Sequence, residues 1–125
     1  MNAILWQRVE GALVFAACLA GVIVPVFMAS GPHWWLIPIL FFAPDLGFLG
    51  YLAGPRVGAF VYNTLHLYGW GLALSVFGLV VWGSMTMTLY GLIWMAHVGF
   101  DRMLGYGLKE RTGFGETHRG RIGRG

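Results

Sequence analysis

Long stretches without charge alternate with short polar interruptions along this chain. No residue is charged from Gly11 to Pro44, and none from Val57 to Gly99. A helix rises about 1.5 Å per residue, so about 20 apolar residues cross a bilayer core of about 30 Å. Each run is too long for one crossing. The first breaks at Ser30-Gly31-Pro32, a strong turn signal, and the second divides at Trp82-Gly83-Ser84. A further turn falls at Gly54-Pro55-Arg56. The pattern predicts an all-α polytopic membrane protein with helices near residues 8–29, 34–53, 57–81 and 84–106. Short connections make sequential neighbours antiparallel. The expected organisation is a four-helix transmembrane bundle over residues 1–107 and a short basic, glycine-rich tail over 108–125.

Composition supports lipid as the solvent. Hydrophobic residues make up 58% of the 125, charged residues 10%, and mean hydropathy is +0.69. A soluble domain carries about 25% charged residues. A chain this short has no core large enough to hide so much apolar surface. The single cysteine, Cys18, rules out an intramolecular disulfide and a multi-cysteine zinc site.

Charge then orients the bundle. Arg8 precedes the first span, Arg56 lies in the second loop, and Arg102, Lys109, Arg111, Arg119, Arg121 and Arg124 sit at or beyond the end of the fourth. The other two loops carry no Lys or Arg. With four spans every basic position falls on one side, which the positive-inside rule makes cytoplasmic, both termini included. A cleaved signal peptide is the rival reading of the first span, but its apolar run is too long and Glu10 sits awkwardly in it. Trp34, Trp35 and Trp82 fall near outer ends, and Trp6 and Tyr106 near inner ends, as interfacial anchors do. The tail's basic residues suit anionic headgroups. Nothing specific supports nucleic-acid binding.

Ionisable groups inside a membrane are costly, so they mark a site or a buried pair. Here they are Glu10, Asp45, His66, His97, Asp101 and Arg102, with Tyr62 and Asn63 as uncharged companions. Folding the chain at its turns compares their depths. Asp45 lies nine residues before Gly54 and His66 twelve after it; His66 lies sixteen before Trp82 and His97 fifteen after it. His66 and His97 therefore share a level, with Asp45 within about one turn of it. His97 and Asp101, at i and i+4, share a helix face, as do Tyr62 and His66. Pro44 removes an amide donor just before Asp45 and frees the carbonyl of Leu40.

Carboxylates and imidazoles converging in a helical bundle are the makings of a divalent metal site, with zinc, iron or manganese suited to the ligand types. The expected ligands are Asp45, His66, His97 and Asp101. Glu10 is a further ligand or general base, Tyr62 and Asn63 orient ligands or substrate, and Arg102 with Lys109 holds an anionic group. The implied activity is metal-dependent hydrolysis of a lipidic substrate. Three alternatives stand beside it: a structural polar network, a non-enzymatic proton- or ion-conducting module that forms an oligomer through glycine-rich faces, and a bis-histidine haem protein using His66 and His97. No phosphate loop is present, because GYGLK lacks the spacing of one.

Three segments carry a resemblance: RVEGA near the start, FFAPDLGFLGYLAGPRVGAFVYNTLHLY in the middle, and HVGFDRMLGYGLK with GFGETHRG at the end. Together they resemble an uncharacterised bacterial integral-membrane family, domain of unknown function 4260. The resemblance implies a bacterial inner-membrane location. It also implies that Glu10, Pro44-Asp45, Tyr62-Asn63 with His66, and His97 with Asp101-Arg102 belong to one set, and that His118 folds back near the site. The family continues Gly-Tyr-Gly-Leu-Lys with Tyr-Pro, whereas Lys109 here precedes Glu110-Arg111.

Overall fold

The computed structural model describes residues 2–28, 33–108, 116–117 and 120–121. Helix α1 spans Ala3–Phe27. It starts earlier than the apolar pattern alone suggests because the Asn2 side chain accepts the Leu5 amide at 2.9 Å and caps it. The expected turn at Ser30-Gly31-Pro32 lies outside the described residues. Helix α2, Leu36–Phe42, runs on as a 3-10 extension, Ala43–Ala53. The change of winding begins where Pro44 has no amide to offer, and the Leu40 carbonyl is taken by the Ala43 amide instead.

Gly54, at φ 111°, turns the chain, and Pro55 opens helix α3, Pro55–Leu65. The chain breaks at His66-Leu67 and continues as α4, Tyr68–Val76, which ends in a π-helical stretch, Phe77–Val81. The two halves meet at 41°. One straight helix over 57–81 was expected, so this break is a difference from the sequence pattern. Gly83 is left-handed (φ 63°), and the Ser84 hydroxyl caps α5, Met85–Leu104. Gly105, also left-handed, ends it. A two-residue antiparallel ladder, β1 (Glu116–Thr117) with β2 (Gly120–Arg121), lies in the tail. All other regular structure among the described residues is helical.

Helix α5 is the centre. It packs along α1 and α4 and touches α2 and both irregular stretches. Val22 of α1 meets Leu89 and Ile93 of α5 in the buried core, with Ile37, Leu40 and Phe41 of α2 against them. Close approach is made by glycine. A Cβ added at Gly99 would lie 2.8 Å from the Gly11 carbonyl oxygen, and one at Gly71 would lie 2.7 Å from that of Gly91. Glycine here serves close helix packing within the chain. The 3-10 extension and α3 form a hairpin of their own, with Gly47 against Tyr62 and Gly50 against Val61.

Among the described residues two helices, Ala3–Phe27 and Leu36–Ala53, are long and apolar enough to cross a membrane, and the bent pair formed by α3 and α4 with its π-helical end makes a third if counted as one span. Their outer faces expose large apolar side chains: Phe27 is 82% exposed, Leu52 88% and Val80 73%. Such surfaces are compatible with contact to a lipid bilayer.

Replacing Gly99 by Ala should destabilise the protein by about 1–3 kcal/mol or more, because the new methyl meets backbone that cannot yield. Gly69→Ala, where a Cβ meets nothing within 4 Å, should be neutral or slightly stabilising. Thermal unfolding of the two variants in one detergent compares them directly.

Candidate metal centre

Each deviation from regular helix delivers one part of a polar cluster. Asp45 sits in the first turn of the 3-10 extension, one residue after Pro44. His66 is the last residue before the α3–α4 break. His97 and Asp101 stand one turn apart on α5. One ligand-type atom from each of these four residues lies within 4.8 Å of all the others.

The separations are informative. His66 Nε2 is 3.4 Å from Asp45 Oδ1 and 3.4 Å from Asp101 Oδ2; His97 Nε2 is 3.2 Å and 3.6 Å from the same atoms. The two Nε2 atoms are 3.1 Å apart. A tetrahedral ion with bonds of about 2.0–2.2 Å separates its ligand atoms by about 3.3–3.6 Å. Five edges of that tetrahedron are therefore already close to length.

The proton inventory points the same way. His66 Nδ1 donates to the Tyr62 carbonyl at 2.9 Å, so in the neutral ring Nε2 carries a lone pair. That lone pair faces two carboxylate oxygens and a second imidazole nitrogen. A hydrogen on His97 Nε2 satisfies only one of these contacts, and the Tyr62 hydroxyl supplies one more to Asp101 at 3.3 Å. A cation at the centre satisfies all four atoms together. His66 and His97 are 0% and 1% exposed, so bulk water does not do so. The donation from Nδ1 to a backbone carbonyl is also the usual way a metal-binding histidine is oriented.

The surroundings fix the rings. Tyr62 stacks on His66 with centroids 3.7 Å apart, and Phe41 meets the His97 ring edge-on at 5.1 Å. His97 Nδ1 is buried with no hydrogen-bond partner among the described residues. The carbonyls left open by the break in α3 are taken by α5: Trp94 Nε1 donates to Leu65 O at 2.7 Å and Arg102 Nη2 to His66 O at 3.2 Å. Trp94 was missed by sequence reasoning. Its only signal is a tryptophan far from either expected membrane interface. Asp45 is the open edge, with a third of its side chain exposed, beside the exposed rings and chains of Phe42 and Leu46.

The remaining expected site residues fall elsewhere. Arg102 reaches the cluster through the backbone of His66, and its Nη1 donates to Tyr106 O. Asn63 lines a separate cavity on α3 with Arg56 and Thr64. Glu10, expected as a further ligand or general base, is exposed on α1 and is not among the four gathered residues. Lys109 and His118 lie outside the described residues. The two histidines touch side by side at 3.1 Å, which leaves no gap for a macrocycle between them.

The chain matches the family described as "Domain of unknown function (DUF4260)" over residues 4–122, nearly its whole length, and belongs to that family. No curated protein and no solved structure matches it.

Tyr62→Phe keeps the ring stack on His66 and removes the hydroxyl from Asp101. It should weaken zinc binding about tenfold, the lower end of what loss of a ligand-supporting hydrogen bond costs. Competition against a chromophoric chelator measures the change.

Proposed function

We propose that this protein is a four-span, antiparallel membrane protein with cytoplasmic termini that holds one divalent transition-metal ion through Asp45, His66, His97 and Asp101. We further propose that it hydrolyses a lipidic substrate. The observation that carries the reading is the set of five ligand–ligand distances between 3.1 and 3.6 Å.

The pairing of α5 with α1 supports the four-span reading. Contacts run from Gly11 with Gly99 and Met103 at one end to Val22 with Leu89 at the other. Helix α5 runs alongside α1 over this length, which favours a fourth span there. Helix α5 is less apolar because its polar residues point inward, where Leu89, Ala96, His97 and Asp101 are all buried. The spans are then α1, α2 with its extension, α3 with α4, and α5, and the domain closes near residue 107. Arg8, Arg56 and Arg102 all fall at one end, which the charge rule assigns to the cytoplasm.

A bound ion would supply Lewis acidity. The chain's own residues do the rest. Asp45 opens the site sideways between the apolar side chains of Phe42 and Leu46, a route suited to a substrate already in the bilayer. Tyr62 holds Asp101 through its hydroxyl and His66 through its ring and carbonyl. Arg102 fixes the backbone behind His66, and Phe41 and His66 leave His97 little room to turn.

A second reading rests on one contact. The 3.1 Å approach of the two Nε2 atoms suits proton transfer between imidazoles, and in that reading the protein conducts protons or ions. A proton flux in liposomes that is lost in His97→Ala, without bound metal, would favour it.

Elemental analysis of the purified protein in detergent tests the first reading. About one zinc, iron or manganese per chain is expected in the wild type. Asp45→Ala and His97→Ala should lose it while keeping their helical circular dichroism. A chain that retains no ion after reconstitution with all three metals would sink the proposal. Turnover of a membrane lipid extract by loaded but not chelated protein tests the hydrolase step.

A further inference from the structure

A tetrahedral ion held by four protein atoms has no position left for a reactant, whereas a catalytic site keeps one open. One of the four must therefore give way, and the surroundings rank them. His66 is fully buried and held twice by Tyr62, through Nδ1 on its carbonyl and through the stacked rings. Asp101 is 11% exposed at its side chain and accepts from the Tyr62 hydroxyl. His97 is buried behind the edge of Phe41. Asp45 differs from all three. Its side chain is 33% exposed, and among the described residues its carboxylate meets only the two imidazoles. Its backbone belongs to the 3-10 extension, which packs on α3 and touches α5 little.

The chemistry around Asp45 says what can take its place. Side chains three apart eclipse in a 3-10 helix, so Phe42, Asp45 and Phe48 form one row. Phe42, Phe48 and the neighbouring Leu46 are all exposed large apolar side chains. A group arriving at Asp45 therefore passes an apolar wall. Charge sets the nature of its polar end. Two neutral imidazoles and two carboxylates balance one divalent cation, and a buried site is costly for any surplus of either sign. A monoanionic oxygen ligand keeps that balance in place of Asp45. A neutral amide leaves one positive charge uncompensated, and a phosphate dianion leaves one negative charge.

We propose that Asp45 is the exchangeable member of the set, and that the position it vacates binds the carboxylate of an apolar-chain acid, the chemistry of a fatty acid. One carboxylate oxygen takes the place of Asp45 Oδ1, and Phe42 and Leu46 face the apolar chain. One oxygen ligand replaces another of the same charge, with no change of oxidation state and no proton transferred. The inference rests on the metal centre proposed above and not on the hydrolase step. Where that step also holds, a fatty carboxylate is its product and competes with substrate.

The test uses the full chain in detergent and reads bound metal by elemental analysis. Asp45→Gly should lose the ion. Acetate should restore it, and butyrate should do so at about tenfold lower concentration, the gain from burying about two methylenes against the apolar wall. Butyramide and inorganic phosphate should not restore it. Asp101→Gly, whose position is enclosed, should be restored by neither acid. The wild type gives a second measurement that does not depend on how the variants fold. With cobalt in the site, butyrate should change the visible absorption bands, which report coordination geometry, while cobalt content stays constant. A wild type that holds no metal sinks the metal centre and this inference together. Metal in the wild type, with no rescue of Asp45→Gly and no spectral change with butyrate, overturns the exchange alone. Equal rescue of Asp101→Gly overturns it as well.

Discussion

Four electron-rich atoms held within 4.8 Å of one another repel unless something positive lies between them. The rest of this structure is arranged around that constraint. Three segments distant in sequence each deliver a polar side chain to one point, and regular helices do not do this unaided. The winding tightens after Phe42 and presents Asp45. The chain breaks after His66, so that the imidazole reaches across toward α5. Only His97 and Asp101, a helical turn apart, come from undistorted helix. The irregular features are concentrated where the ligands are.

Irregular backbone is tolerated in an apolar setting only when its polar groups find partners. Pro44 and the break at His66 both open carbonyls, and each is answered. Ala43 takes the first by shortening the repeat. Trp94 and Arg102, both on α5, take the carbonyls of Leu65 and His66. Arg102 therefore supports a ligand from behind. The same helix that supplies two residues of the cluster also repairs the break that exposes a third. This explains why α5 is the most enclosed and least apolar of the long helices.

Much of this was legible in the residues. Counting from the turns put His66, His97 and Asp45 at one level, and the three do meet. The i, i+4 spacing put Asp101 below His97 on the same face, and the Pro44 effect on Leu40 follows from proline's missing amide. What depth could not give was direction around the helix axis. Glu10 is exposed on α1 and is not one of the four gathered residues, and Asn63 sits one position from Tyr62 and lines another cavity. The break at His66-Leu67 left no local signal either. Neither residue is a glycine or proline, and what stabilises the break comes from α5, some thirty positions away. Among the described residues apolarity singles out two helices, or three with the bent pair, and α5, which carries its polar residues inward, is not one of them.

The order of the ligands along the chain, 45, 66, 97 and 101, has a consequence for synthesis. Membrane helices enter the bilayer in the sequence in which they are made. Asp45 and His66 arrive on an early hairpin that packs mainly on itself, and their partners on α5 come last. Until α5 is made, the Asp45 carboxylate and the His66 imidazole lack the two partners that it supplies. Nine residues of 3-10 winding and twelve of α-helix each amount to about 18 Å, so Asp45 and His66 stand at the same distance along the hairpin from the Gly54 turn. The last-made long helix thus completes a cluster whose other half is already paired in the hairpin.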